Sequence, residues 1–246
     1  MKRYGLIGFP LGHSFSGTYF NEKFRREGIH ARYDLFELKD IAEFQSLKLI
    51  DDLCGLNVTI PYKQQVIPYL DEMDETAAKI GAVNVIKFIR SEGSLVLKGF
   101  NSDVIGFSNS IKPFLKQNHK KAFILGTGGA SKAMEYALRK MGLEVKLVSR
   151  NPTDNQFSYS DINGDVLTEY TVVVNSTPAG MYPHVDECPD IPYDALTSGH
   201  LLFDAVYNPP ETLFLKKGKE KGAVALSGME MLTGQAEAAW GIWETP

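Results

Sequence analysis

One stretch restricts the fold more than any other: Gly126-Thr127-Gly128-Gly129-Ala130-Ser131-Lys132-Ala133. The apolar run Ala122-Phe123-Ile124-Leu125 leads into it, and Ala133, Met134, Ala137, Leu138 and Met141 follow at helical spacing. Gly142 and a second run, Val145-Lys146-Leu147-Val148, come next. The spacing predicts strand, glycine turn, helix, strand. Such a turn presents backbone N–H groups and the positive end of a helix dipole, which suits a diphosphate. Gly126 permits the tight turn, and Gly128 lets the diphosphate approach the backbone. Ser131 stands where the usual fingerprint has its third glycine, and Ala133 supplies a small residue one turn in. A glycine pattern by itself also suits a plain tight turn; the strand–helix–strand context favours a dinucleotide.

The alternation continues beyond this unit. Strands are expected at residues 171–174, 201–207 and 223–226, with helices at 211–221 and from Ser227-Gly228 onward. In the last helix Met231, Leu232, Ala236, Ala239, Trp240 and Trp243 share the apolar spacing. Residues 151–163 show no clear period. Strands alternating with helices imply a parallel sheet with right-handed crossovers and ligands at the C-terminal strand ends.

Before Lys121 the texture is less regular. We expect strands at residues 4–8, 31–36 and 56–60, the last stopped by Pro61. Ser16 is the expected cap of a helix carrying Tyr19, Phe20 and Phe24 and ending near Gly28. Asp40 should cap a short helix, a second should follow Lys63, and a third should run from Glu72 to Gly81. Residues 83–89 and 95–100 flank Ser91-Glu92-Gly93 as a hairpin. Asn101-Ser102-Asp103 should cap a helix carrying Ile105, Phe107, Ile111 and Leu115.

Composition excludes several classes. At 246 residues, one large or two small domains can bury a core. The net charge of −4, with no Lys/Arg cluster, argues against a nucleic-acid surface, so an anionic ligand must meet local positive groups. Cys54 and Cys188 form no CxxC pair and read as reduced cytosolic thiols, with a single disulfide between them left open but unsupported. His13, His30, His119, His184 and His200 show no ligand spacing, so no metal is expected. The apolar run after Met1-Lys2-Arg3 is ended by Pro10 and His13 too early for a signal peptide, and no stretch approaches a membrane span.

Candidate chemistry sits near the expected strand ends. Lys63 follows Asn57-Val58-Thr59-Ile60-Pro61-Tyr62, and Asp103 stands at a helix start. Singly, they read as a solvated lysine and a helix cap. Beside a nicotinamide they gain meaning. Hydride addition to a ketone puts negative charge on oxygen; a cation that donates a proton suits that oxygen, and a carboxylate orients both. Ser14 and Ser16 offer two hydroxyls on a turn, and singly they too read as caps.

Together, several motifs resemble the shikimate dehydrogenase family. They are Ser14-Phe15-Ser16 with Asn21, the run from Asn57 to Lys63, Gly81-Ala82-Val83-Asn84, Asn101-Ser102-Asp103 and Gly126-Thr127-Gly128-Gly129-Ala130. Asn175-Ser176-Thr177-Pro178, Asp204-Ala205-Val206-Tyr207-Asn208-Pro209, and Gly228-Met229-Glu230-Met231-Leu232 with Gln235 complete the set, in the family's order and across almost the whole chain. The resemblance implies an α/β protein of two domains with the active site in the cleft between them. An N-terminal α/β substrate domain, residues 1–103, would be rejoined by a terminal helix at 229–246. A Rossmann-like, doubly wound NADP-binding domain would span 104–228. The resemblance assigns the substrate carboxylate to Ser14 and Ser16, and ring hydroxyls to Thr59, Asn84, Asp103 and Gln235, with Tyr207 close by. Lys63 and Asp103 would form the catalytic pair. Gly126, Thr127, Gly128, Gly129, Ala130, Ser149, Arg150, Thr177, Ala205 and Gly228 would hold NADP. The implied activity is NADPH-dependent reduction of 3-dehydroshikimate to shikimate, on the route to chorismate and the aromatic amino acids. The implied setting is a cytoplasmic monomer or homodimer.

The residues themselves add one point. An acidic side chain after the second strand of the dinucleotide fold would favour NAD; here that end reads Ser149-Arg150-Asn151. A guanidinium suits the 2′-phosphate of NADP. There are departures from the family. Its usual Ser-Pro is Ser16-Gly17 and its usual His-Asn is Phe20-Asn21, which bears on the angle of the first helix. The segment at 151–170 is short, and the sequence ends at Pro246, soon after Trp243, without the extra terminal helix of many relatives. Two alternatives stay open: a relative that also takes quinate or NAD, and a catalytically silent NADP-binding sensor on the same fold. A sensor would need no proton-transfer pair, so Lys63 and Asp103 weigh against it.

Overall fold

The computed structural model describes every residue except His13, Glu92 and Pro246, so the expectations resting on those three lie outside the described residues. The chain divides into two compact units: Met1–Ser102 with Ala236–Pro246, and Asp103–Gln235.

The first unit contains β1 (Lys2–Gly8), α1 (Phe15–Glu27), β2 (Ala31–Glu37), α2 (Phe44–Leu47), β3 (Leu53–Val58), α3 (Tyr62–Gln65), β4 (Glu72–Met73), α4 (Glu75–Ile80), β5 (Val85–Ser91) and β6 (Ser94–Phe100). Its mixed sheet runs β2-β1-β3-β5-β6-β4. β1 is parallel to β2 and β3, whereas β5 is antiparallel to β3 and β6. The start of β5 therefore lies beside the end of β3, with Asn57 opposite Val85. Ser14, not Ser16, occupies the cap position of α1, and its side chain makes no capping hydrogen bond. Two serines two residues apart carry the same local capping signal, and packing chooses between them. The helix ends at Gly28 with φ 66°, as its glycine predicts. Asp40 caps its short helix through a capping box, and α4 starts after its Asp74 cap, later than the expected Glu72. Asn21 binds α1 to β2: its Nδ2 donates to Tyr33 O at 2.9 Å, and its Oδ1 accepts from Tyr33 N at 3.0 Å.

An aromatic core joins Tyr4, Phe20, Phe24, Tyr33 and Trp243. The Tyr4 ring stacks on Trp243 at 4.8 Å, and Phe20 stacks on Tyr33 at 4.7 Å. Trp243 Nε1 donates to Ile86 O at 3.1 Å, so its polar edge is satisfied in the core. A Cβ at residue 55 would lie 2.3 Å from Trp243 Nε1, which explains Gly55.

The second unit contains α5 (Asp103–Ile111), β7 (Lys121–Leu125), α6 (Gly129–Lys140), β8 (Glu144–Val148), α7 (Gly164–Glu169), β9 (Val172–Asn175), β10 (Leu201–Asp204), α8 (Leu213–Glu220) and β11 (Val224–Ser227). α9 (Met229–Glu244) begins in it and continues into the first unit. The sheet is fully parallel, in the order β11-β10-β9-β7-β8. Val172, Val173 and Val174 are all buried, as a parallel strand covered on both faces requires. The order is that of a doubly wound dinucleotide fold lacking one outer strand. That strand survives as a single bridge, Val148 to Phe157. Ser149 N donates to Phe157 O at 2.8 Å and Phe157 N to Leu147 O at 2.9 Å. The short segment at 151–170 holds this stub, one 3-10 turn at Tyr159–Asp161, and α7. β10 ends at Asp204 rather than at the expected 207, because the chain turns there to bring Val206 N back to the Asp204 carboxylate.

Candidate active site

In the first unit, the expected substrate residues gather at one edge of the sheet. Ser14 and Ser16 follow β1, and Thr59 follows β3, its N–H donating to Ile7 O at 2.9 Å. Thr59 O accepts from Tyr62 N at 2.9 Å, which opens the turn that carries Lys63. Lys63 O accepts from Val83 N at 2.7 Å, placing the Gly81-Ala82-Val83-Asn84 turn against α3. Asn84 is buried, and its Oδ1 accepts from Ser102 N at 2.6 Å. Asn101 Nδ2 donates to Ala82 O at 2.9 Å. The three turns are thus fixed to one another by backbone and amide hydrogen bonds.

Behind the serines runs a polar chain absent from the sequence reading. The Ser16 hydroxyl hydrogen-bonds the Tyr33 phenol. Tyr33 Oη donates to Asn57 Oδ1 at 2.7 Å, and Asn57 Nδ2 donates to Asn84 O at 3.3 Å. Burial raises the Tyr33 phenol far above its ordinary value, so it stays a neutral donor. A cavity of about 380 Å³ opens on this side of α1, lined by Ser14, Thr18, Asn21, Arg25 and Tyr33 among others; Thr59, Lys63 and Asn84 do not line it.

In the second unit, Asp103 is the first residue of α5 and is buried. Tyr207 and Gln235 lie in the same unit, half-buried. The glycine turn has the expected form. Gly126 has φ 108°, a conformation that side chains rarely adopt, and a Cβ there would lie 2.9 Å from Ser176 Oγ. Thr127 and Gly128 are exposed, and a Cβ at Gly128 would meet nothing within 4 Å. Gly129 and Ala130 open α6, which runs for 12 residues, and Ser131 Oγ donates to Gly128 O at 2.6 Å. Open space at a long helix's N-terminus fits a diphosphate.

Arg150 follows β8, is exposed, and has no ion pair among the described residues. Ser149 Oγ accepts from Asn151 N at 3.2 Å and shapes the turn. On the other side of β7, Thr177 donates through N at 3.0 Å and Oγ1 at 2.6 Å to Asn175 Oδ1. Ala205 N donates to Asn175 O at 2.8 Å. A Cβ at Gly228 would lie 2.5 Å from Ala205 O, so only glycine fits. Beneath these loops lies Asp204, quoted in a motif but given no role by the sequence. Burial raises its carboxyl to about 6, against the pull of its Thr212, Val206 and Asn175 donors. Among the described residues, no group of three or more His, Cys, Asp or Glu side chains could hold a metal ion. No helix among them is long and apolar enough to cross a membrane.

Comparison with known proteins bears on the family and the fold. Residues 6–86 match the family model described as the shikimate dehydrogenase substrate binding domain. The chain is 36% identical over 258 residues to shikimate dehydrogenase (NADP(+)) of Methanosphaera stadtmanae, covering 97% of this chain and 90% of that protein. The crystal structure of shikimate dehydrogenase from Aquifex aeolicus superposes with a TM-score of 0.86 at 35% identity, over 100% of this chain and 94% of that one. Quinate dehydrogenase from Corynebacterium glutamicum, in complex with NAD, superposes with a TM-score of 0.87 at 27% identity, over 99% and 93%. With relatives above one-third identity along nearly its full length, the chain belongs to the shikimate dehydrogenase family.

Proposed function

We propose that this enzyme reduces 3-dehydroshikimate to shikimate with NADPH, in the cytoplasm, as a monomer or homodimer. The observation that carries the reading is the coexistence of two built half-sites. One is the Ser14, Ser16, Thr59, Lys63 and Asn84 edge of the first unit. The other is the open glycine turn with Arg150 in the second. In this reading Ser14 and Ser16 hold the substrate carboxylate, while Thr59, Asn84, Asp103 and Gln235 take ring hydroxyls, with Tyr207 beside them. Gly126, Thr127, Gly128, Gly129 and Ala130 seat the diphosphate of NADP, Ser149 and Arg150 the 2′-phosphate, and Thr177, Ala205 and Gly228 the nicotinamide half.

Bound NADPH supplies a hydride to the ketone carbon. Negative charge then grows on the ketone oxygen. Lys63 and Asp103 act there as the proton-transfer pair: the ammonium stabilises the forming alkoxide, the carboxylate orients it, and one proton completes the alcohol. Ser14 and Ser16 fix the ring through its carboxylate, so that the carbonyl meets the pair in one orientation.

The quinate dehydrogenase neighbour makes quinate and NAD the rival ligands. Arg150 favours NADP over NAD. Cofactor oxidation with 3-dehydroshikimate is expected with NADPH and to be at least tenfold weaker with NADH. In the reverse direction quinate should turn over poorly beside shikimate. Equal rates with NADH, or with quinate, would overturn the assignment.

A further inference from the structure

The buried carboxylate of Asp204 has no part in the mechanism above, yet it binds three separate segments of its unit. Asn175, Asp204 and Ser227 are the last residues of β9, β10 and β11 and lie side by side in the sheet register. Asp204 is fully buried. Its Oδ1 accepts from Asn175 Nδ2 at 2.9 Å and from Val206 N at 3.0 Å. Its Oδ2 accepts from the Thr212 hydroxyl, and Thr212 in turn caps α8. Asn175 passes the constraint on, since its Oδ1 holds Thr177 through both N and Oγ1. Gly228 closes the set: a Cβ there would lie 2.9 Å from Asp204 O and 2.5 Å from Ala205 O.

Every donor on this carboxylate is neutral, and no ion pair reaches it among the described residues. A charge buried without a cation costs stability, so packing does not account for it. What the carboxylate offers is two oxygens that gather three donors from three separate segments. A dinucleotide lies across a doubly wound sheet with its diphosphate at the switch between β7 and β9. The adenosine half then falls over the β8 end, where Arg150 stands, and the other half over the ends of β9, β10 and β11.

We propose that Asp204 is a positioning residue for the nicotinamide half of the cofactor site. It does so by fixing the loops that carry Thr177, Ala205 and Gly228. The inference rests on the reading of the second unit as the NADP-binding unit. It separates the two halves of the ligand: Asp204 governs nicotinamide placement and leaves the adenosine end to Arg150.

The test is calorimetric titration of the full chain with NADP, with adenosine 2′,5′-bisphosphate, and with shikimate. Asp204→Ala should weaken NADP at least tenfold and lower kcat, while the bisphosphate and shikimate change less than twofold. Asp204→Asn should restore NADP to within threefold. Its amide oxygen keeps the Asn175 and Val206 donors, and its amide nitrogen can donate to a rotated Thr212 hydroxyl. Thr212→Val leaves the carboxylate and removes one donor, so it serves where Asp204→Ala does not fold. It should weaken NADP at least threefold and spare the bisphosphate. Equal weakening of NADP and the bisphosphate would make Asp204 a merely structural residue and overturn the proposal, as would unchanged NADP affinity. A wild-type chain that binds neither NADP nor the bisphosphate would instead overturn the cofactor reading of the unit, and the proposal with it.

Discussion

In the proposed mechanism, Lys63 is the residue on which the chemistry depends most. A proton-transfer group of this kind contributes roughly 10²–10⁴-fold, so Lys63→Ala should lose that much kcat with little change in shikimate affinity. Steady-state kinetics would show the opposite pattern, a raised KM at normal kcat, were Lys63 only a binding group. Asp103→Asn should also be slow, and the double variant should lose less than the product of the two. Arg150→Ala removes one charge-assisted hydrogen bond, about 1.5–3 kcal/mol, and should weaken NADP by roughly tenfold to a hundredfold while leaving NAD nearly unchanged. Equal loss of both would displace Arg150 from the 2′-phosphate. Asp204 makes a pH prediction. Its carboxyl stands at about 6 in the folded protein against 3.8 for an ordinary aspartate, so between these values the folded state binds the extra proton. That contribution is present below the unfolded value and is lost as pH rises through about 6. The Tyr193 phenol, pushed up chiefly by burial, then by Cys188 and by the Asp204 charge, stays neutral over that range. The Tm of wild type relative to Asp204→Asn should therefore rise as pH is lowered from neutrality towards 4.5. A flat difference would remove the titration from Asp204. Lys63, Asp103 and the two serines could be named as candidates from the sequence because short motifs carry them. Asp204 and Tyr33 could not, since their partners Asn175 and Asn57 come from 29 and 24 residues away and meet only when strands pair.

At the scale of elements, alternation of strand and helix set the second unit's order, and the glycine turn set where α6 begins. The hairpin of β5 and β6 and the capped short helices also followed from local residues. The antiparallel placement of β5 beside β3 did not, because no local signal states which strand a hairpin joins. Nor did the single bridge at Phe157, which is what remains of an outer strand when its crossover is too short. The last helix gives the clearest energetic test. Trp243 is buried against Tyr4, Phe20 and Tyr33, and its indole N–H is bonded to Ile86 O. Trp243→Ala should destabilise the protein by about 3–5 kcal/mol, read by urea denaturation. Gly55→Ala should also destabilise it, since the added methyl would overlap the Trp243 ring. A loss under about 1 kcal/mol for the tryptophan would mean that the end of α9 contributes little to the first unit's core.

Taken whole, the molecule is an acidic chain of net charge −4 that handles anionic ligands. In the proposed reading it does so through local devices: a helix N-terminus, paired hydroxyls, one lysine and one exposed arginine. The two units supply different chemistry, one rich in hydroxyl and amide groups set on a mixed sheet, the other an open glycine turn on a parallel sheet. Only the second of these architectures has a strong sequence signature; in the first, local pattern gives the elements and the family motifs give their candidate chemistry. The family's reaction makes a definite statement about atoms: one hydride passes from the reduced cofactor to the ketone carbon of the substrate, and one proton joins the oxygen. Mixing the enzyme with 3-dehydroshikimate and NADPH carrying deuterium at the transferable position, then weighing the product by mass spectrometry, follows that hydride. The account predicts shikimate one mass unit heavier, its deuterium on the carbinol carbon, formed in step with NADP. Shikimate without deuterium, or oxidised cofactor without shikimate, would contradict it.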